Sequence, residues 1–352
     1  MILSTNSTKE IIFSTSPEFS QVALNEIQKI DSASKLVQWI EEGVGFVSLK
    51  RETFSSFSFY ALDSKTVFIR HLFPVLNQLQ LEHSEADFLK FRAAIESHFP
   101  MLDRAEPTSV QIRLTKEFHA SYSRSELWRS LTDFLTHAGF QIEVKHPTQI
   151  ISIFCTSNVA YLGVSETVQN LSSWAGGIHR FAQESEQISR AEFKLLEAIE
   201  VFNLSLPKVG HALDLGASPG GWTRILRKVG LSVTAVDPGD LHESLRNDPH
   251  IIHHRQLVQK FLPTCREQFD VIVNDMRMNA IESAKIMVSA SNLLTENGLV
   301  IMTLKLPNKG ISQTIRTAID ILEPQYDLLG ARNLFHNRQE ATLALRRKSE
   351  IR

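Results

Sequence analysis

The chain lacks the features that would assign it to several large protein classes. Its 352 residues include two cysteines, Cys155 and Cys265, far apart in sequence. That excludes a disulfide framework and a cysteine-based zinc ligand set, and it fits a reducing compartment. No apolar run approaches the roughly 20 residues of a membrane-spanning helix. The opening stretch MILSTNSTKEIIF has no basic segment followed by an apolar one, so no secretory signal and no membrane partner are expected. An excess of one charge is also missing: 37 Lys and Arg stand against 39 Asp and Glu, a net charge of −2. Nothing global therefore attracts a polyanion, and any nucleic-acid contact has to come from a local patch. The basic end RRKSEIR reads as a solvated tail. No internal repeat and no long biased tract is present.

With 43% hydrophobic and 22% charged residues, the chain reads as globular, cytoplasmic and long enough for two or three domains. In the C-terminal half, short apolar segments alternate with helical patterns. HALDLGA (211–217), SVTAVDP (232–238), HIIHHRQ (250–256), DVIVNDM (270–276) and GLVIMTLKL (298–306) read as strands. GGWTRILRKVG, AIESAKIMVSASNLL and ISQTIRTAIDILE between them repeat their apolar residues at helical spacing. The series predicts an α/β fold, a Rossmann-like, mostly parallel sheet of seven strands. YDLLGARNLF and EATLALRRK are separated by HNRQ alone, which demands an antiparallel hairpin, so the sheet is expected to end in one reversed strand.

The N-terminal half mixes strands and helices. Residues 1–85 read as a short α+β unit. Residues 86–170 read as a second, in which SRSELWRSLTDFLTHAGF forms an amphipathic helix opened by a serine cap and closed near Gly139. Residues 171–188 are polar and glycine-containing, as in a linker, and lead to a domain at 189–352.

LDLGASPGGWT (213–223) closes the first strand of that domain. Glycines 216, 220 and 221 allow a tight turn into a helix and close backbone approach to a ligand at the carboxyl ends of the strands. The spacing is not G-x-G-x-x-G, which disfavours a nicotinamide cofactor. The pattern D-x-G-x-x-P-G-G-W instead resembles the first motif of S-adenosylmethionine methyltransferases of the ribose 2′-O class. Asp214, Gly216, Ser218, Pro219, Gly220, Gly221, Trp222 and Asp275 are the candidate cofactor residues, with Asp237 at the end of the next strand placed to accept both ribose hydroxyls.

Ribose methylation needs a group to take the hydroxyl proton and others to hold the oxygen in line with a methyl sulfonium. A buried lysine whose charged form is disfavoured, beside a second lysine and two carboxylates, is a suitable set. Asp275 follows DVIVN, Lys305 follows GLVIMTL, Glu340 opens EATLALRRK, and Lys194 lies in SRAEFKLLEAI. Taken singly, each has a plainer explanation. Lys194, for example, is placed to pair with Glu197 on the next helical turn.

Together, SRAEFKLLEAI, LDLGASPGGWT, NDMR, LKLPNKG and LFHNRQEATLALRR resemble the FtsJ-like 2′-O-methyltransferases, and within them the branch that acts on a cytidine ribose of large-subunit ribosomal RNA. The resemblance implies a catalytic tetrad of Lys194, Asp275, Lys305 and Glu340 with Lys305 as proton acceptor, S-adenosylmethionine as methyl donor, no metal and RNA as partner. DNA, which lacks the 2′-hydroxyl, is not expected. The N-terminal units resemble, more loosely, a ferredoxin-like domain (1–85) and a THUMP RNA-binding domain (86–170). Gln256 and Leu257 stand where the family often has an acid near the adenine, and Ala191 where the branch usually has serine. Two other readings stay open. A THUMP-linked transfer-RNA base methyltransferase would need N/D-P-P-Y, where this chain has NDMR, or a cysteine nucleophile, for which Cys265 has no partner motif. A non-catalytic RNA-binding or ribosome-assembly protein would keep the fold without the activity.

Overall fold

A computed structural model describes residues 7–63 and 66–349. The first six residues and the last three of the basic end lie outside the described residues. The chain divides into two compact units, Met1–Ile178 and His179–Arg352.

The N-terminal unit runs β1 (Glu10–Ser14), α1 (Ser20–Ile30), β2 (Lys35–Glu41), β3 (Val44–Ser48), α2 (Phe54–Asp63), β4 (His71–Pro74), β5 (Asn77–Gln80), α3 (Ala86–Ser97), β6 (Thr108–Leu114), α4 (Arg124–His137), β7 (Gln149–Cys155) and β8 (Val159–Glu166). It holds two four-stranded sheets, ordered β2-β3-β1-β4 and β5-β8-β7-β6. The first is antiparallel throughout; in the second only β6 and β7 run parallel. The chain passes from one sheet to the other between Pro74 and Asn77, so β5, inside the stretch read as the first α+β unit, pairs with β8 of the second sheet. Ile12, Phe46 and Phe73 of the first sheet pack against Phe154 and Tyr161 of the second, each large side chain contributing ~1.5–3 kcal/mol when fully buried. Helices α3 and α4 cover the second sheet, with Phe91, Ile95, Leu127, Leu131 and Leu135 against Val110, Ile112, Ile151, Ile153 and Leu162. Helix α4 opens on a capping box: Glu126 N–H donates to Ser123 Oγ at 3.2 Å, and Ser123 N–H to Glu126 Oε2 at 2.7 Å.

The C-terminal unit runs α5 (Ala191–Val201), β9 (His211–Leu215), α6 (Gly221–Val229), β10 (Ser232–Val236), α7 (Glu243–Arg246), β11 (Ile251–His254), α8 (Val258–Phe261), β12 (Phe269–Asn274), α9 (Ala280–Ala290), β13 (Leu294–Lys305), α10 (Ile311–Leu322), β14 (Tyr326–Arg332) and β15 (Glu340–Arg347). Its single sheet is ordered β11-β10-β9-β12-β13-β15-β14. Helices α5 and α6 bury Leu195, Ala198, Trp222, Ile225 and Leu226 against Ala212, Val233, Val271, Val273 and Ile301 of one face.

One expectation needs correcting. The reversed strand does not lie at the sheet's edge: β15 is inserted between β13 and β14 and is antiparallel to both. Ala341 to Leu345 are buried without a break, the mark of a strand covered on both faces, whereas β14, at the edge, is buried only in part. The insertion places Glu340 directly opposite Lys305.

The polar stretch read as a linker is tied down. In the N-terminal unit, Ser14 Oγ donates to the Gly176 carbonyl at 2.7 Å and Gln111 Nε2 to the Ser173 carbonyl at 2.6 Å. In the C-terminal unit, Glu184 pairs with Arg224 and Lys228, each at 2.6 Å. The basic end is not wholly free either, since Arg347 donates to the Leu294 carbonyl and Lys348 lies 3.8 Å from Glu323. Among the described residues no helix is long and apolar enough to cross a membrane.

Candidate active site

Parallel strands deliver their last residues to one edge of a sheet, and four side chains foreseen from the sequence meet there. Asp275 is the first residue beyond β12. Its turn is held by buried Asn274, whose Oδ1 accepts from Met276 N–H at 3.0 Å while its Nδ2 donates to Ser283 Oγ at 3.1 Å. Lys305 is the last residue of β13, and Glu340, the first of β15, faces it across the ladder. Lys194 reaches in from α5. The four close a ring. Lys194 Nζ lies 3.2 Å from Asp275 Oδ2 and 2.7 Å from Glu340 Oε2. Lys305 Nζ lies 2.6 Å from Asp275 Oδ1 and 2.9 Å from Glu340 Oε1. Their side chains keep 14–22% exposure, which leaves the ring open to a substrate yet weakens solvent screening compared with a surface pair.

Burial alone would push Lys194 down, but Asp275 and Glu340 outweigh it and hold the amine above the ordinary lysine value. Burial alone would likewise raise Asp275, and the charges of Lys305 and Lys194 with the hydrogen bonds of Lys305 and Thr303 bring it below the carboxylate range. The charged form of Lys194 is thus favoured, because opposite charges at contact prevail over desolvation and over the like-charged neighbour.

Beside the ring, β9 runs into the glycine turn. Gly216 has φ of +82° and Gly220 of +111°, values that favour glycine. A Cβ on Gly216 would lie 2.5 Å from Met276 Cγ, so the turn packs directly on the residue after Asp275. The other candidate cofactor residues divide into two groups. Asp214, Gly221 and Trp222 are buried and serve the turn from within: Asp214 Oδ2 accepts from Thr223 Oγ1 at 2.6 Å, and Trp222 Nε1 donates to the Ala191 carbonyl at 2.7 Å. Asp237 and Ser218 lie on the other side, where Asp237 Oδ1 accepts from Gly239 N–H at 2.7 Å and Ser218 Oγ donates to the Asp240 carbonyl at 2.9 Å. The Ser218–Pro219 peptide is cis.

Residues 187–318 match the family model described as FtsJ-like methyltransferase. This part of the chain is similar to the FtsJ-like methyltransferases. Curated relatives carry the name Ribosomal RNA large subunit methyltransferase M. The protein of Halorhodospira halophila is 37% identical over 179 residues, covering 49% of this chain and 51% of its own. That of Psychromonas ingrahamii is 36% identical over 208 residues, 55% of each chain. That of Pseudomonas syringae pv. tomato is 31% identical over 229 residues, 60% of this chain and 62% of its own. The matched stretch thus spans about half to three-fifths of the relatives' length. Among solved structures, TrmN from Thermus thermophilus aligns over 96% of this chain and 100% of its own at 15% identity and a TM-score of 0.37, too loose a likeness to argue from.

Lys194, Asp275 and Lys305 fall inside the matched FtsJ-like stretch, and Glu340 lies beyond it, brought back by the β14–β15 hairpin. Sequence reasoning missed several supporting residues. Thr303 Oγ1 donates to Asp275 Oδ1 at 2.7 Å and accepts from Lys305 Nζ at 2.9 Å; its position two residues before Lys305, on the same face of the strand, was the available signal. Glu197 does not pair with Lys194. It is buried and accepts from the N–H groups of Phe335 (2.6 Å) and His336 (2.9 Å). Asn333 Nδ2 donates to the Glu340 carbonyl at 2.7 Å and Asn337 Oδ1 accepts from Thr342 Oγ1 at 3.0 Å, so the loop before Glu340 is cross-braced.

Other places in the molecule are chemically quieter. Both cysteines are free and buried. Burial raises the Cys265 thiol, and its position ahead of β12 puts it at the amino ends of the strands. Among the described residues no group of three or more His, Cys, Asp or Glu is placed to hold a metal ion. A small pocket in the N-terminal unit is lined by Ser14, His71, Gln111, Arg113 and Ser152 among apolar residues. Burial drives its His71 down to about 3, so it holds no histidinium near neutral pH.

Proposed function

We propose that this chain transfers a methyl group from S-adenosylmethionine to a ribose 2′-hydroxyl in RNA, the substrate being large-subunit ribosomal RNA. The observation that carries the reading is the ring of Lys194, Asp275, Lys305 and Glu340 packed beside the glycine turn. The residues of the turn fit the methyl donor. Gly239 keeps side-chain atoms out of the space by Ser218 and Asp237, where a Cβ would come within 2.9 Å of Ser218 Oγ and 3.1 Å of Asp237 Oδ1. Ser189 Oγ, against Gly221, is buried without a hydrogen-bond partner among the described residues. Gly216 to Trp222 and Asp237 would hold the donor, which when bound supplies an electrophilic methyl on a positively charged sulfur.

The ring divides its labour by environment. Lys194, held above the ordinary lysine value, keeps its proton and fixes the two carboxylates. Lys305 is then the amine left to accept the hydroxyl proton, as the resemblance implies. With both amines protonated the ring is neutral overall, and a further positive charge brought next to it eases loss of one proton. Asp275 and Glu340 hold the resulting amine in place through its remaining N–H groups. For the N-terminal unit we propose a ferredoxin-like part (1–85) and a THUMP-like RNA-binding part (86–170), followed by a linker (171–188) and the methyltransferase domain (189–352). The two sheets and the helices α3 and α4 support that reading. A cytoplasmic location follows from the proposed substrate.

Mass-spectrometric mapping of ribose methylation along large-subunit RNA, in cells with and without the protein, tests the substrate: one ribose methyl is expected to disappear. An unchanged map removes that substrate. If purified protein also fails to pass labelled methyl from S-adenosylmethionine to any RNA, a non-catalytic RNA-binding protein replaces the enzyme.

A further inference from the structure

A chain with a net charge of −2 has to draw a polyanion by a local concentration of cations. The structure provides one around the ring. Three loops border it: residues 275–279 after β12, 306–310 after β13, and 333–340 before β15. They touch one another. Asn279 forms an isolated parallel bridge with Lys305. Leu306 N–H donates to the Gln339 carbonyl at 3.0 Å, and Gln339 Nε2 to Asn308 Oδ1 at 2.5 Å. Each loop carries one exposed cation: Arg277, Lys309 and Arg338. None of the three side chains has a hydrogen bond or ion pair among the described residues, in contrast with Arg224, Arg227 and Lys228 of the same unit, which are paired. The only acids in the three loops, Asp275 and Glu340, are turned into the ring and neutralised by Lys194 and Lys305. The mouth of the site is therefore a rim of three uncompensated positive charges.

We propose that Arg277, Lys309 and Arg338 form a phosphate-gripping rim that holds the RNA backbone on either side of the acceptor ribose. The proposal rests on the RNA reading above, and it adds which residues bind and by what chemistry. Cations freed from partners at one end of a sheet present N–H donors to phosphate oxygens at no cost in broken ion pairs. Their place on three separate loops suits a backbone passing over the ring and not a single point anion. Phosphate contacts of this kind carry no sequence information, so the rim supplies affinity and register and leaves selection of the nucleotide to other groups.

Salt dependence tests it without any turnover. Affinity for a labelled single-stranded RNA oligonucleotide is measured across a range of KCl concentrations for the full chain. Each phosphate contact contributes about 0.7 to the slope of log affinity against log salt for a single strand. Arg277→Gln, Lys309→Gln and Arg338→Gln should each flatten the slope by about 0.7, and the triple variant by roughly 2. Lys208→Gln, at an exposed charge just ahead of β9 at the opposite end of the sheet, should leave it unchanged, and all five variants should bind the donor as wild type does. Unchanged slopes in the rim variants, or an equal change in Lys208→Gln, overturns the rim. Because the readout is binding alone, loss of the methyl-transfer reading would leave this result standing, and the reverse also holds.

Discussion

Charge is treated in opposite ways by the two units. In the N-terminal unit, His71 is stripped of its proton by burial, Arg113 is closed off by Glu41 at 2.6 Å, and Asp31 keeps its charge by accepting from the N–H groups of Ala33, Lys50, Arg51 and Glu52. Every one of those groups holds the chain in place. In the C-terminal unit, two amines and two carboxylates face one another at a partly exposed strand end. A charge that is bound to backbone stabilises the fold and has nothing left for chemistry. One balanced by a mobile side chain at the surface of a cleft can exchange that partner for a substrate.

The largest expected effect comes from opening the ring. Lys305→Ala should lower the rate of methyl transfer by ~10²–10⁴-fold, the range for a general base, while calorimetric titration finds donor affinity nearly unchanged. His71→Gln, at the other unit's small pocket, should leave the transfer rate untouched. Full activity in Lys305→Ala would remove the contrast between the units.

Much of the C-terminal unit was legible in the sequence. Its strands are short apolar runs separated by amphipathic helices; Asp275 and Lys305 sit where two of those runs stop and Glu340 where another begins, so for these three pattern and chemistry gave the same positions, while Lys194 comes from a helix. The place of β15 was not legible, because a hairpin fixes only the mutual direction of two strands; which of them meets β13 depends on covering both faces of Ala341 to Leu345. The N-terminal unit was harder to read. β2 is an edge strand with Val37 and Trp39 exposed and little alternation to detect, and helices α2 and α3 present weak apolar stripes. The charge state of Lys194 was not legible, because the distance to two carboxylates is a property of the fold and not of local sequence.

Asp214 is the exception inside the C-terminal unit, a carboxyl with no cation beside it, and it sharpens the comparison. Burial raises it to about 7, against the opposing hydrogen bond from Thr223. The unfolded chain titrates near the ordinary value of 3.8, so between about pH 4 and about pH 7 the folded state holds the extra proton and stability declines as pH rises. Asp214→Asn, which has no proton to lose, should match wild type near pH 4 and exceed it above pH 7 by on the order of 2–4 kcal/mol. Chemical denaturation at the two pH values measures this, and a constant difference would show that burial does not govern Asp214. In the N-terminal unit the corresponding weak point is steric. Gly163 in β8 lies against the Pro74 carbonyl, and Gly163→Ala should cost ~2 kcal/mol by overpacking; an unchanged denaturation midpoint would mean the two sheets can separate to admit a methyl group.

Thr303 gives the smallest effect and the finest test of how the ring works. It is fully buried, its hydroxyl lies between Asp275 and Lys305, and the three N–H groups of Lys305 have three acceptors in Asp275, Glu340 and Thr303. Valine has the same shape without the hydroxyl. Thr303→Val therefore leaves one donor of Lys305 unsatisfied and lets the Asp275 carboxylate turn, a loss of ~1 kcal/mol in alignment, or roughly fivefold in rate. The loss should appear in kcat with KM for RNA and donor affinity unchanged, and Thr303→Ser should restore it. A packing role would give the reverse pattern, since valine fills the site and serine leaves a methyl-sized gap: Thr303→Val would then be active and Thr303→Ser impaired.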